Sequence, residues 1–499
     1  MSTIHNLGEI ARWHGLNERQ TIVDLRDGES GWTAVQLHEG AAALARGLIR
    51  RGFRSGERFA IVAENSAEYL VAYLGVMQAG LSVVPINFRL PRDTIDFVLR
   101  DSESVGIFTD AACRDLVPPG YPRFALHGEG ADSFRSLLAP VGPVGRTPRI
   151  AQVLYTSGST GRPKGVPLSH AGQLWAVGVH TSVGPTPDAR SLIVAPLYHM
   201  NGLFNVSVAL ANQAQIVLLP RFDARQYLET AARYQCTHLS GIPTMFAMMA
   251  REYDRSDAVQ LASVQRITIG SAPLTQALIE RVQKMFPNAS IRNGYGTTEA
   301  GPSIFGDHPN GLARPSLALG YPIPDAECRL TDGPSADEGV LEVRTPALLD
   351  GYLNLPQATA ERLRDGWYVT GDLMRRDADG FYYFLGRADD MFVCSGENVY
   401  PAEVEKMLER HPDVLQAAVV AVPDEIKGHI PIAFVVPANG AALSPSDLKA
   451  FSLREGPAYS HPRAFVVVDE LPIAGTHKID KRPLLERAKT LAPALGRNR

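Results

Sequence analysis

The residues whose types and spacing best suit a chemical role lie at positions 155–165, where the sequence reads YTSGSTGRPKG. Three glycines, several Ser and Thr hydroxyls and one lysine follow an apolar run. Backbone N–H groups, hydroxyl donors and a cation in one loop suit the oxygens of a polyphosphate. Lys164 is followed by Gly165 rather than by Ser or Thr, so the loop is not a Walker A motif. The alternative is a surface loop of turn-forming residues.

A second cluster of chemical groups is the segment NGYGTTE at residues 293–299. Tyr295, Thr298 and Glu299 place an aromatic ring, a hydroxyl and a carboxylate within five residues. A base can stack on the ring, and phosphates with a divalent cation can use the other two groups. Taken alone, the segment also fits a polar turn.

The elements that position these loops are predicted from short apolar runs. Residues 58–87 predict a βαβ unit with parallel strands. Similar runs recur at residues 151–156, 191–196, 215–220, 238–243 and 266–271. We therefore expect an α/β fold of parallel and mixed sheets with helices, in which ligands bind at the carboxyl ends of strands. Beyond about residue 315 a β-rich subdomain is expected, and the predicted boundary separates a large domain, 1–386, from a small α+β domain, 387–499.

Composition narrows the class of ligand. The 499 residues include 49 Lys and Arg against 53 Asp and Glu, a formal net charge of −4, which gives no argument for nucleic acid or anionic membrane as a partner. The four cysteines are far apart and include no CxxC pair. No apolar stretch predicts a signal peptide or a membrane span, so we expect a soluble cytoplasmic protein that acts on small molecules.

The ordered motifs resemble the acyl-adenylate-forming superfamily, and specifically its AMP-forming acyl- and aryl-CoA synthetases. Besides the two segments above, the motifs are PLYHMNG (196–202), GSAPL (270–274), YVTGDL (368–373), GRADDMFVCSGENVYPAEVE (386–405) and HKIDKRPL (477–484). The resemblance implies two half-reactions with ATP, Mg²⁺ and coenzyme A. A carboxylic acid first forms an acyl-adenylate with release of pyrophosphate, and a thiol then displaces AMP.

The resemblance also implies roles for individual residues. Tyr295 would stack on adenine, Asp372 and Arg387 would bind ribose, and Glu299 and Thr160 would hold Mg²⁺. Lys478 would reach the reacting carboxylate and the α-phosphate, although a lysine in such a stretch is otherwise a solvated surface charge. The full predicted ATP-binding set is Thr156, Ser157, Gly158, Ser159, Thr160, Gly161, Lys164, Ser271, Ala272, Pro273, Asn293, Gly294, Tyr295, Gly296, Thr297, Thr298, Asp372, Arg387 and Lys478. The predicted catalytic set is Lys478, Thr160, Glu299 and His199.

The acid pocket carried over from the family is small, neutral or apolar. Its members are His199, Met200, Asn201, Gly241, Thr244, Ser271, Gly294, Gly296, Gly301 and Pro302. No Lys or Arg in this set could pair with a second carboxylate, which disfavours dicarboxylates such as malonate. An aromatic or medium-length aliphatic monocarboxylic acid is expected. His199 has two readings, a direct role beside the acid or a structural one.

Asp389 matches the family's hinge position, about which the small domain would rotate and bring residues 391–399 to a pantetheine tunnel. The sequence departs from the family at His477, where Gly usually precedes the lysine. Two alternatives stay open, a carrier-protein phosphopantetheine as acceptor and a non-catalytic protein that binds ATP or acyl groups. A monomer or a homodimer is expected.

Overall fold

The computed structural model describes residues 4–142, 145–156, 162–181, 184–253, 261–424, 426–438, 441–474 and 478–496. The first part of the chain forms one α/β layer and supplies two strands to another. Its elements are β1 (Gln20–Asp24), β2 (Ser30–Thr33), α1 (Ala34–Arg50), β3 (Arg58–Val62), α2 (Ala67–Gln78), β4 (Ser82–Pro85), α3 (Arg92–Asp101), β5 (Ser104–Thr109) and β6 (Arg123–Ala125), with 3-10 turns at Leu7–Arg12, Arg114–Leu116 and Phe134–Leu137.

The second part contains most of the predicted functional loops. Its elements are β7 (Ile150–Thr156), β8 (Lys164–Ser169), α4 (His170–His180), β9 (Arg190–Ile193), α5 (Met200–Ala211), β10 (Gln215–Leu218), α6 (Ala224–Arg233), β11 (His238–Gly241), α7 (Pro243–Tyr253), β12 (Arg266–Gly270), α8 (Gln276–Met285), β13 (Ser290–Gly294) and β14 (Phe305–Gly306).

The third part is the expected β-rich subdomain. Its elements are β15 (Tyr321–Pro322), β16 (Glu327–Ser335), β17 (Glu338–Arg344), α9 (Pro356–Arg362), β18 (Leu363–Arg364), β19 (Trp367–Arg376) and β20 (Tyr382–Arg387). A 3-10 turn at Ala388–Asp390 then leads to the last part, which comprises β21 (Phe392–Cys394), β22 (Glu397–Val399), α10 (Pro401–Leu408), β23 (Val414–Asp424), β24 (Gly428–Pro437), α11 (Pro445–Glu455), β25 (Ala464–Val467) and α12 (Lys481–Gly496).

Two large sheets organise the first two parts. One has the strand order β6-β5-β3-β4-β7-β8 and the other β13-β12-β11-β9-β10-β1-β2. The predicted βαβ unit is confirmed, since β3 and β4 pair in parallel on either side of α2. Helix α2 starts after Ser66, whose side chain accepts a hydrogen bond from the Tyr69 N–H, and nearly all of its residues are buried. That burial on all sides explains why its sequence is apolar throughout rather than amphipathic.

The predicted α/β fold class is confirmed, and the expected strands and helices of the last part are present. Its sheet has the order β22-β21-β24-β23, with β25 also paired to β24. Separate apolar clusters cover the two faces of this sheet, with Val419 and Val435 on one side and Val420 and Phe434 on the other. The last part therefore has a core of its own. No helix in the described ranges is long and apolar enough to cross a membrane.

Candidate active site

The carboxyl ends of β11, β12 and β13 open on a cavity of about 2030 Å³. These strands run parallel, so the loops that follow them meet at one edge of the sheet. The β-rich subdomain and the last part of the chain close the cavity from the other side, through Asp372, Arg387 and Lys478. One cavity is therefore lined by residues of NGYGTTE, YVTGDL, GRADDMFVCSGENVYPAEVE and HKIDKRPL.

A tight turn holds the residues of NGYGTTE in place. Thr297 and Gly301 exchange two backbone hydrogen bonds of 2.9 and 3.0 Å, and the Thr297 hydroxyl accepts from the Ala300 N–H. Gly296 has no room for a side chain, because a Cβ there would lie 2.2 Å from the Pro302 carbonyl oxygen. The close approach of two backbone segments thus explains the glycine and presents Thr298 to the cavity.

Tyr295, Asp372 and Arg387 form a connected polar group in the cavity wall. The Tyr295 hydroxyl donates to one carboxylate oxygen of Asp372 at 2.5 Å, and Arg387 donates to the other at 2.8 Å. Burial and the adjacent Asp372 carboxylate raise the pKa of Tyr295 well above its ordinary value, so the phenol stays a donor. Gly371, at a φ of 76°, turns the strand just before Asp372. These residues, with Thr298 and Lys478, are called the motif end of the cavity below.

Glu299 lies behind the turn rather than in the cavity wall itself. The Tyr352 hydroxyl donates to its carboxylate at 3.0 Å, and burial raises the pKa of Glu299 above its ordinary value. A single carboxylate next to a phosphate site fits Mg²⁺, which typically takes one or two protein carboxylates together with substrate phosphates and water. The described residues contain no cluster of three or more His, Cys, Asp and Glu side chains that could form a complete protein cage.

Lys164 is the first residue of β8 and pairs in register with Thr156, the last residue of β7. This antiparallel hairpin fixes both ends of the phosphate loop at the sheet edge. The Lys164 Nζ lies 5.2 Å from the centre of the ring of Tyr352, the residue whose hydroxyl donates to Glu299. The residues predicted in the loop itself, Ser157, Gly158, Ser159, Thr160 and Gly161, lie outside the described residues, as does His477.

Lys478 enters the motif end on a short hairpin from the last part of the chain. Ile473 and Ile479 form a β-bridge, and the Ala474 N–H donates to the Lys478 carbonyl at 2.7 Å. The side chain keeps solvent access because it projects into an open cavity. Even so, loss of hydration lowers the pKa of Lys478, with the Arg387 charge acting in the same direction and Asp372 opposing it. The ammonium group of Lys478 therefore lies near the Asp372 and Arg387 pair.

Most of the predicted site residues share this cavity. Its walls include Thr156, His199, Met200, Asn201, Gly241, Thr244, Ser271, Ala272, Pro273, Asn293, Gly294, Tyr295, Gly296, Thr297, Thr298, Pro302, Asp372, Arg387 and Lys478. Lys164, Glu299, Gly301 and Asp389 lie outside the lining. Asp389 instead contacts two arginines, Arg362 at 3.3 Å and Arg387 at 3.4 Å. Ser271 adopts a left-handed φ of 65°, a conformation that costs a non-glycine residue about 1 kcal/mol or more.

The predicted acid pocket contains no Lys or Arg, but the cavity around it does. The cavity continues past the predicted neutral set to Arg266, Arg292 and Arg314, so cationic side chains do face it. These three residues, with His180 and Asp307, are called the arginine end. Part of the signal was present in the sequence, because a parallel strand buried on both faces reads as a continuous apolar run, whereas RITIG alternates between polar and apolar residues. Polar residues on every second position of such strands indicate a cavity against that face.

Sequence reasoning also missed the tyrosines around Glu299. Tyr352 donates to Glu299, and Tyr368 also contributes to the pKa of that carboxyl. Both come from segments remote from Glu299 in the sequence. Tyr368 begins the YVTGDL motif, but nothing in that motif indicates a contact with Glu299. A cavity lined by Tyr295, Asp372 and Lys478, with the Glu299 carboxylate behind its wall, fits an enzyme that activates an acid with a nucleotide.

Comparison with known proteins agrees with this class. The family described as AMP-binding enzyme matches residues 12–353, and the AMP-binding enzyme C-terminal domain matches residues 403–478. The chain is 34% identical over 472 residues to a feruloyl-CoA synthase of Amycolatopsis sp, covering 93% of this chain and 95% of that protein. It is 31% identical over 480 residues to a 2-succinylbenzoate--CoA ligase of Geobacillus kaustophilus, covering 93% and 94%.

Solved structures give the same result. The anthranilate CoA ligase AuaEII in complex with anthranoyl-AMP superposes with a TM-score of 0.87 at 25% identity, covering 98% of both chains. ATP-bound MatB from Rhodopseudomonas palustris superposes with a TM-score of 0.86 at 27% identity, covering 97% of this chain and 99% of that one. The chain belongs to the AMP-binding enzyme family. It is an AMP-forming acid–thiol ligase, with ATP, Mg²⁺ and coenzyme A as its reactants and metal.

Proposed function

We propose that this protein joins an aromatic carboxylic acid to coenzyme A in one cavity, through an aryl or arylacyl adenylate. The observation that carries the proposal is the continuous cavity that links Tyr295, Asp372 and Lys478 to a pocket lined by His199 and Ser271. The nucleotide and the acid can therefore lie end to end in it, with the reacting atoms beside Lys478.

In the first half-reaction a carboxylate oxygen attacks the α-phosphorus of ATP, and the bond from that phosphorus to pyrophosphate breaks. Lys478 neutralises the charge that develops between the carboxylate and the phosphate, while Thr298 donates to the phosphate. Asp372 accepts from the ribose hydroxyls, and Arg387 and Tyr295 hold that carboxylate in place. Mg²⁺, held by Glu299 and by Thr160, would lower the negative charge of the phosphates.

In the second half-reaction the thiol sulfur attacks the acyl carbon, and the carbon–oxygen bond to AMP breaks. We place the domain boundary at 386/387 and the hinge at Asp389. Rotation there withdraws Lys478 and brings residues 391–399 to the cavity. The short hairpin of β21 and β22 lies in this segment, with Ser395 and Gly396 both at positive φ in its turn. Asp389 must exchange its contacts with Arg362 and Arg387 during the rotation.

The choice of an aromatic acid rests on relatives. A feruloyl-CoA synthase, a 4-coumarate--CoA ligase and the anthranilate CoA ligase all take aromatic acids by name. The neutral pocket residues agree, because Met200, Gly241 and Gly294 line the cavity without a charged side chain. Since all four cysteines are free thiols, we assign the protein to the reducing cytoplasm, as a monomer or homodimer.

A panel of substituted benzoic, cinnamic and C4–C12 aliphatic acids tests the function. We expect pyrophosphate release that depends on an aromatic acid, followed by AMP and thioester formation when CoA is added. A relative named fatty acid--[acyl-carrier-protein] ligase makes the holo carrier protein the control acceptor. A thioester on the carrier protein but not on CoA would show that the carrier protein is the acceptor. ATP binding without pyrophosphate release on any acid would refute the proposal.

A further inference from the structure

The arginine end of the cavity is built on one face of two neighbouring strands. Ile267 and Ile269 of β12 and Ile291 of β13 pack into an apolar cluster on the far side of the sheet. Successive side chains of a strand point to opposite faces. Arg266 and Arg292 therefore point to the other face, with Thr268 level with Arg292, and all three line the cavity.

Positive charge at this end exceeds negative charge. Asp307 pairs with Arg292 at 3.0 Å and with Arg314 at 3.2 Å, so two guanidinium groups already share its carboxylate. The guanidinium of Arg266 has no hydrogen bond or ion pair to any residue in the described ranges. Of the described residues lining this end, Asp307 is the only acid against three arginines. Partial burial and the neighbouring Arg292 charge lower the pKa of Arg266, and the Asp307 carboxylate opposes them.

His180 adds a buried polar atom to the same surface. It is the last residue of α4, its ring lies 5.3 Å from the Phe204 ring, and its Nε2 is buried without a hydrogen-bond partner in the described structure. Burial, followed by the charges of Arg266 and Arg292, lowers the pKa of His180 to about 4. The imidazole is therefore neutral at pH 7 and not a further cation. A buried ring nitrogen normally has a hydrogen-bond partner, and the one of His180 lacks it. The exposed guanidinium of Arg266 lines the same cavity.

The position of these groups along the strands sets how far they lie from the reacting end. Arg292 stands two residues before Gly294 and Arg266 four residues before Gly270, which correspond to about 7 and about 13 Å of strand. At such spacings the two arginines are placed better for a group remote from the reacting carboxylate than for one directly next to it, as in malonate. They match the far side of an acid that contains a ring and a short side chain.

We propose that Arg266 and Arg292, together with His180, bind an oxygen acceptor at the end of the acid remote from the reacting carboxylate. The acceptor is a carboxylate or a phenol oxygen, and both share the chemistry that guanidinium N–H groups recognise. This inference rests on the proposed function and specifies its substrate class. Arg266 and Arg292 determine specificity; they do not touch the reacting atoms.

Three cinnamic acids that differ only at the ring position opposite the side chain test the proposal. They carry a carboxylate, a hydroxyl or a methyl group there, and kcat/KM is measured by acid-dependent pyrophosphate release. With the natural sequence, we expect at least one oxygen-bearing acid to exceed the methyl acid by roughly tenfold or more. Preference for the carboxylate identifies an anionic acceptor, and preference for the hydroxyl identifies a phenol.

Substitution of Arg266 then tests whether this residue causes the preference for the oxygen-bearing acid. Arg266→Gln should reduce it to below threefold, mainly by raising KM for the oxygen-bearing acid, and should leave the methyl acid within twofold. Arg266→Lys should restore part of the preference, because the cation is kept. Arg225→Gln removes an exposed arginine paired with Glu229 and serves as the matched control with no expected change. Thermal unfolding within about 2 °C of the natural protein shows that each variant is folded.

The outcomes separate this inference from the proposed function. Equal turnover of all three acids, with normal thioester formation, would overturn the inference and leave the ligase function standing. An unchanged preference in Arg266→Gln would also overturn it. No pyrophosphate release with any acid would instead contradict the proposed function itself.

Discussion

At the motif end of the cavity Asp372 and Arg387 pair with each other, whereas at the arginine end one carboxylate, Asp307, is shared by Arg292 and Arg314 and Arg266 has no ion-pair partner among the described residues. Asp372 already accepts from Tyr295 and Arg387, and Glu299 accepts from Tyr352. The Nε2 of His180 is buried without a partner in the described structure, and the exposed Arg266 forms no hydrogen bond or ion pair with a described residue. A preorganised end suits steps that are the same for every acid, because its groups need no rearrangement to act. An end with unmet donors suits recognition, because a ligand must complete it.

The comparison makes a general prediction for variants. A change at the motif end should lower activity by the same factor for every acid. A change at the arginine end should alter the ratio between acids. The individual predictions below concern the motif end and its approach, and each is checked with two acids of different ring substitution.

The largest effect is expected for Lys478→Ala. Removing the cation beside the carboxylate and the α-phosphate should lower acid-dependent pyrophosphate release by about 10² to 10³-fold. Lys481→Ala is the control, since Lys481 is paired with Glu405 at 2.6 Å and should change the rate by less than threefold. A loss that differs strongly between the two acids would break the proposed division of the cavity.

The second-largest effect is expected for Glu299→Gln. The amide keeps the size of the side chain and removes the charge that Mg²⁺ requires, so we expect the Mg²⁺ concentration for half-maximal rate to rise by about tenfold or more. Because burial raises the pKa of Glu299, protonation competes with Mg²⁺ as the pH falls, and the Mg²⁺ requirement of the natural protein should increase at low pH. The variant should lose this pH dependence. An unchanged Mg²⁺ titration would exclude Glu299 as the metal ligand.

Tyr295→Phe should have a smaller effect. It removes the hydroxyl donated to Asp372 and keeps the ring for stacking, so KM for ATP should rise by about three- to tenfold with little change in kcat. Tyr234→Phe, which removes a similar hydroxyl donated to Glu29 on the surface, is the control. A fall in kcat with an unchanged KM would place Tyr295 in the chemical step instead.

The smallest effect concerns Glu409, where the last part of the chain meets the large domain. Its carboxylate accepts from the Ala417 N–H at 3.0 Å and lies beside Thr275, and burial raises its pKa to about 7. Because the folded protein favours the protonated carboxyl, this contribution to stability is full below about pH 4.5 and is lost as the pH rises through about 7. Glu409→Gln should therefore reduce the drop in Tm between pH 5 and pH 8 by about 2 to 4 °C.

Glu229→Gln, at an exposed pair with Arg225, is the control for Glu409. An equal drop in Tm in the natural protein and in Glu409→Gln would show that this carboxyl does not couple pH to domain contact. The activity ratio between the two acids should stay constant in either variant, because Glu409 lies far from the arginine end along the chain and on another domain.

The motif end could be predicted from the sequence because its groups lie close together in the chain. One turn positions Tyr295, Thr298 and Glu299. A glycine is needed at position 296 because the backbone of Pro302 packs against it in this turn. Asp372 and Lys478 were placed by family resemblance. The fold class followed from apolar runs of strand and helix length, and the βαβ unit at residues 58–85 is confirmed.

The arginine end could not be predicted in the same way. Arg266 and Arg292 come from different strands, and His180 comes from a helix more than eighty positions earlier. Only the parallel register of β12 and β13 brings them to one face. The tyrosines around Glu299 were missed for the same reason, since Tyr352 reaches it from the β-rich subdomain. The alternation in RITIG indicates a polar face, but only long-range packing brings the members of each group together.

The central claim is that one cavity serves two half-reactions and that Lys478 acts only in the first. The most direct test supplies synthetic aryl-adenylate and CoA to Lys478→Ala and follows thioester formation in a single turnover. We predict a rate within about threefold of the natural protein, although the same variant has lost pyrophosphate release by about 10² to 10³-fold. Equal loss of both half-reactions would contradict the claim.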